Sequence, residues 1–211
     1  MKTDELITLI SQDTHPPVNL SRAILLAIAI GSLFAATAFF LTLGLRPDIG
    51  QAIDTVRFPF KILVTFTLFV AATAAVGRVI RPGQELGFRG RLLLVVPALL
   101  LLGVALELGI TPSALWTAKL IGHNALHCLT IVPALSLLPG IFLLLAMRHG
   151  APERPGVAGA LAGLASAGIG ATFYGLNCPD DSPLFVATWY PIATTVVAAI
   201  GFFAGRRLLR W

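Results

Sequence analysis

A chain of 211 residues in which 56% are hydrophobic and only 12% charged cannot clothe a water-facing surface, because soluble domains carry about a quarter charged residues. The mean hydropathy of +0.87 over the whole length argues against a soluble enzyme, a nucleic-acid-binding domain and a disordered chain, and for a membrane protein. The formal net charge of +5 fits the loop charges that set membrane topology better than a nucleic-acid surface, so no direct nucleic-acid partner is expected.

The opening Met1-Lys2-Thr3-Asp4-Glu5 is polar and acidic, where a signal peptide is basic and then apolar. The first apolar segment therefore reads as a retained span, and residues 1–21 as a tail before it. Thr3, Asp4 and Glu5 can open a helix, with the acids favourably placed in its first turn. Leu6, Ile7, Leu9 and Ile10 give that helix one apolar face, and Pro16-Pro17 ends it. A helix of about ten residues is marginal alone in water, so it needs a surface to dock on. Asp4 and Glu5 disfavour an anionic bilayer and point to a groove in a protein partner.

Residues 22–211 read as an all-α bundle in the lipid bilayer. A crossing helix needs about 20 mostly apolar residues, and six stretches qualify, near 23–45, 60–80, 92–110, 125–147, 156–176 and 184–204. Lys61 stands at the edge of the second, where a lysine can snorkel to the interface, and Glu107 near the far end of the third. Arg46-Pro47-Asp48, Arg81-Pro82-Gly83 and the stretch Ala151 to Pro155 read as turns. Placing the N-terminus inside leaves only Arg46, Arg57, Lys61 and Lys119 outside. The positive-inside rule thus predicts that both termini are cytoplasmic.

Thr111-Pro112 reads as the start of a short interfacial helix, with Trp116 as its anchor. In the fifth span Gly159, Gly163, Ala167, Ala171 and Gly175 recur every four residues. Such a stripe admits a close neighbour, either a helix of the same chain or a second copy in a homodimer.

Chemistry has few candidates. Cys128 and Cys178 form no CxxC pair, but this topology puts both near the outer, oxidising side at similar depth. A permanent staple, a redox- or metal-responsive pair and two unpaired thiols all remain open. His123 and His127 are four apart, a spacing that puts both rings on one helix face. With the thiolates of Cys128 and Cys178 they would make a soft nitrogen–sulfur site for a transient metal ion; imidazoles bonded to headgroups or water are the plainer alternative. No resident cofactor is expected. The loop Asn177-Cys178-Pro179-Asp180-Asp181-Ser182-Pro183 reads as solvated, its aspartates opposing a Cys178 thiolate. No charge sits at the centre of a span, which weighs against a transporter. No nucleophile, base and orienting group come together, which weighs against an enzyme. A small six-span transporter and a membrane thiol–disulfide redox protein stay as alternatives.

Three blocks add a resemblance: Met1 to Ile7; Arg148-His149-Gly150-Ala151-Pro152-Glu153-Arg154-Pro155 with the glycine-rich span behind it; and Cys178-Pro179-Asp180-Asp181-Ser182-Pro183-Leu184-Phe185 leading to Trp189-Tyr190. Over essentially its whole length the chain resembles the NrsF-type anti-sigma factors, six-span inner-membrane proteins of proteobacteria. The resemblance implies an extracytoplasmic-function (ECF) sigma factor as partner, held by the tail at Asp4, Glu5, Leu6, Leu9 and Ile10. It also implies that Cys128 and Cys178, which match the family's two cysteines, sense heavy metals and oxidants. His123 and His127 lie outside the family's pattern, and Asn177 stands where a His often precedes the second cysteine.

Overall fold

The computed structural model describes residues 19–84 and 86–210. The tail residues Asp4, Glu5, Leu6, Leu9 and Ile10 lie outside them. The described residues are helices and connecting turns: α1 (Leu20–Thr42), α2 (Ile49–Ile53), α3 (Arg57–Val79), α4 (Gly87–Arg91), α5 (Val95–Ile110), α6 (Trp116–Ile121), α7 (Ala125–Met147), α8 (Pro155–Asn177) and α9 (Pro183–Leu208). A 3-10 turn at Leu92–Leu94 joins α4 to α5, so the two run as one span. Among the described residues six helices are long and apolar enough to cross a membrane, and each overlaps one of the predicted apolar runs, although the first ends at Thr42 and the second at Val79, short of the expected 45 and 80.

Local signals account for several helix starts. The Asn19 side chain accepts from the Arg22 amide (3.2 Å) to cap α1. Pro155 and Pro183 occupy the first turns of α8 and α9, where the missing N–H costs nothing. The short helix after Thr111 exists, but it begins with a 3-10 turn at Ser113–Leu115. Thr111 does not cap it: this residue closes α5 instead. Gly122 separates α6 from α7 at a φ of +59°, a left-handed conformation that suits glycine. A Cβ there would also fall 2.9 Å from Cγ of Asp180.

Helix α8 is the hub, packed against α3, α7 and α9, while α1 lies along α7. Its small residues are used inside the chain. A Cβ on Gly159 would stand 2.7 Å from Cα of Gly205, and one on Gly163 2.9 Å from Cα of Ala198. Ala167 and Ala171 are fully buried. The stripe is thus covered by α9 and its neighbours and offers no face to a second copy. Large side chains such as Leu25, Leu33, Leu41, Leu101 and Ile110 point outward around the bundle, as hydrocarbon requires and water would penalise.

Contacts between turns define two ends. At one, Arg81 bonds to Ser21, the Gly83 amide to Glu153, and the Ala151 amide to Ile80. The described chain begins and finishes there. At the other, the turn after α1, the α6 segment and the loop between α8 and α9 converge. One apolar cluster, with Val76, Leu143, Met147 and Ala162, fills the first half. A second, with Phe39, Val132, Phe185 and both cysteines, fills the other.

Candidate functional site

Cys178 closes α8 and opens the five-residue loop to α9, and that loop is held on every side. The Lys61 Nζ donates to the Cys178 carbonyl (2.7 Å) and to Asp181 Oδ1 (2.5 Å). Arg46 Nη1 donates to Asp181 Oδ2 (2.6 Å) and reaches the same carbonyl at 3.4 Å. The other edge of the Arg46 guanidinium forks onto Asp48, with both N–O distances at 2.7 Å. Lys61 and Arg46 both lie over the Phe58 ring. Lys61 is fully buried and does not snorkel to an interface. A buried charge survives only when paired, and Asp181 pairs it.

Asp180 serves a different element. Its Oδ2 accepts from the backbone amides of His123 (3.0 Å) and Asn124 (2.9 Å) and from the Asn124 side chain (3.0 Å). It therefore fixes the entry to α7. Neither aspartate is the free, solvated group that the sequence suggests. A third carboxylate, Glu107, is buried at the same end between Arg57 Nε (2.9 Å) and Lys119 Nζ (2.7 Å), with the Thr111 hydroxyl 3.2 Å away. All four cations that the sequence places at this end are thus in ion pairs.

Both cysteines are free thiols in the same cluster, 0% and 1% exposed. The Tyr174 hydroxyl donates to the Asn124 carbonyl (3.3 Å) and lies within reach of the Cys178 thiol. Burial pushes the Cys178 thiol up from its ordinary value, and the Lys61 charge opposes that shift. Repulsion from Asp180 is a minor contribution. Arg46 is held more firmly protonated than usual by its hydrogen bond to Asp48, against the cost of burial, and Asp48 is lowered by the same bond.

The histidines do not join the thiols. α7 starts at Ala125, so His123 precedes the helix, and the two rings share no helix face. Both are exposed while the thiols are buried. Among the described residues no three His, Cys, Asp or Glu side chains are grouped to hold a metal. Beside the loop an open cavity of about 420 Å³ is lined by Arg57, Lys119, His123, Asp180, Asp181 and Ser182, among others. Sequence reasoning missed Lys61, Arg46 and Glu107 as structural partners. The only signal was their presence near span ends, where a charge must find either water or a partner.

Among the described residues, six helices of membrane-spanning length and apolar composition give the chain the character of a polytopic membrane protein. The known proteins that it is similar to carry regulatory names. A family model described as "Negative regulator of sigma F" matches residues 10–211. The chain is 36% identical over 217 residues to the "Anti-sigma-F factor NrsF" of Caulobacter vibrioides (strain NA1000 / CB15N), with both chains covered completely. It is 32% identical over 221 residues to the "Probable anti-sigma-F factor NrsF" of Azospira oryzae (strain ATCC BAA-33 / DSM 13638 / PS), again over the whole of both chains. No solved structure matches. The chain belongs to the NrsF family, whose names point to an anti-sigma role and away from catalysis.

Proposed function

We propose that this chain holds an ECF sigma factor at the cytoplasmic face of a bacterial inner membrane, and that Cys128 and Cys178 on the far side control its release. The observation that carries the anti-sigma part is the full-length similarity to two proteins named as anti-sigma-F factors. The tail residues Leu6, Leu9 and Ile10, flanked by Asp4 and Glu5, are the sigma-binding surface in this reading. The cytoplasmic assignment rests on charge: the end with the described termini carries Arg22, Arg78, Arg81, Arg148, Arg154 and Arg206 among others, as the positive-inside rule requires.

The input is thiol chemistry. With hydrogen peroxide as oxidant, two thiols and one hydrogen peroxide give one disulfide and two waters, the cysteines losing two electrons and two protons. With a soft divalent metal, the two thiols lose two protons and bind it as thiolates. Burial of both thiols and the raised Cys178 set a threshold, because little thiolate is present at rest. Either product alters the Cys178 loop, whose carbonyl is tied to α3 by Lys61 and to the turn after α1 by Arg46. Release follows only if the altered state binds sigma less well. A tenfold loss needs about 1.4 kcal/mol of coupling.

The test is gentle solubilisation of the tagged chain from its own cells, beside a Leu6→Asp/Ile10→Asp variant. A sigma factor captured by the parent and lost from the variant is expected. An intact parent chain that captures none refutes the reading.

A further inference from the structure

The end opposite the cysteines has a cleft that the bundle leaves unfilled. It has a volume of about 450 Å³ and lies between the end of α3, the turn that follows it and the start of α8. Val79, Leu86 and Val157, all half-buried, give it an apolar floor. Arg81 and Arg154 stand exposed on its rim, and among the described residues no carboxylate forms an ion pair with either. The rim's one described acid, Glu153, already accepts from the Gly83 amide (2.9 Å). A ligand that suits this site is a short apolar segment carrying carboxylates.

This chain has such a segment within reach. Asp4-Glu5-Leu6-Ile7-Thr8-Leu9-Ile10 combines two acids with four large aliphatic residues. Arg81 on the rim donates to Ser21 in the first turn of α1 (2.9 Å), so the tail joins the bundle beside the cleft. The stretch from Ile10 to Asn19 can extend about 30 Å. A short tether also holds its end at an effective concentration in the mM range, enough to populate a contact of only mM affinity.

We infer that the tail's Asp4–Ile10 segment docks in this cleft, with Asp4 and Glu5 against Arg81 and Arg154, and that cleft and sigma factor compete for it. The docking stands on the cleft itself; the competition rests on the function proposed above. The geometry also supplies a route between the two ends. The cleft walls are the end of α3, whose first turns carry Arg57 and Lys61, and the start of α8, which ends one residue before Cys178. A shift at the loop that displaces either helix along its axis moves a cleft wall. Sigma then binds with an affinity reduced by the fraction of tail that is docked.

The test uses the full chain in nanodiscs, with Cys128→Ser and Cys178→Ser, and spin labels at Thr8→Cys and Gln84→Cys. Pulsed electron resonance without sigma is expected to give one short, narrow distance distribution. Arg81→Glu/Arg154→Glu should broaden it, and adding Asp4→Arg/Glu5→Arg to that variant should restore it. A broad distribution in the parent, or a narrow one indifferent to both reversals, overturns the docking. With sigma added, the short distance should vanish, and Arg81→Glu/Arg154→Glu should bind sigma severalfold tighter. A short distance that persists with sigma bound overturns the competition. A charge-sensitive short distance in a chain that captures no sigma leaves the docking standing and removes the proposed function instead.

Discussion

The two ends of this bundle are closed by different physics. At the cysteine end Arg46, Arg57, Lys61 and Lys119 are all spent on carboxylates, and the loop after Cys178 is tied to three other segments. At the opposite end, no ion pair between described residues involves an arginine. There α8 and α9 meet backbone to backbone through Gly159, Gly201 and Gly205. Charges used internally cannot recruit a partner, whereas arginines exposed beside a cleft can. The first end is therefore suited to holding a conformation, and the second to meeting other molecules.

The comparison can be broken most severely at Asp181. Asp181→Ala leaves fully buried Lys61 without a counter-charge, which costs about 3–5 kcal/mol. It should appear as a large drop in the unfolding midpoint, with much of it recovered when Lys61→Met is added. An unchanged midpoint would show that the pairs hold nothing. Gly159→Val attacks the other end, since its side chain would enter the backbone of α9 near Gly201. Overpacking of that kind costs about 1–3 kcal/mol. Gly109→Val has open space around it and should stay within about 0.5 kcal/mol. Asp180→Ala removes the acceptor of three N–H donors, with a cost near the lower part of about 1–3 kcal/mol because the His123 amide can find water. Faster hydrogen exchange at His123 and Asn124 is the local readout.

The smallest effect is a pH dependence. Asp48 is half exposed, and its hydrogen bond to Arg46 lowers its pKa below the ordinary 3.8. A depressed carboxylate contributes stability that is present above its unfolded value and lost as pH falls through the folded one. Acidification below 3.8 should therefore loosen the cysteine end, and Asp48→Asn should flatten that limb while changing little near neutral pH. Unfolding midpoints measured across that range decide it.

Spans were legible because uninterrupted apolar runs leave few choices in a bilayer, and the bounds differ by only a few residues. The small-residue stripe on α8 was legible as a packing face, though not its partner: Gly201 and Gly205 lie about forty residues away, beyond any local pattern. The two cysteines were correctly expected at one end. Their surroundings were not, because Lys61 with Asp181 and Arg46 with Asp181 are pairings across more than a hundred residues. Read alone, Lys61 is an interfacial lysine and Asp181 a loop aspartate. Only the fold turns them into one another's condition for burial. His123 and His127 misled for a related reason, since the four-residue spacing assumes a helix that begins two residues after His123.

The central claim is that the state of Cys128 and Cys178 sets sigma affinity at the far end. The direct measurement is sigma binding to the full chain in nanodiscs, before and after treatment with a peroxide, beside a Cys128→Ser/Cys178→Ser variant. The account predicts at least a tenfold weakening on oxidation, equivalent to about 1.4 kcal/mol, and no change in the variant. Equal affinity in both states of the parent, with the disulfide verified by mass, would contradict it.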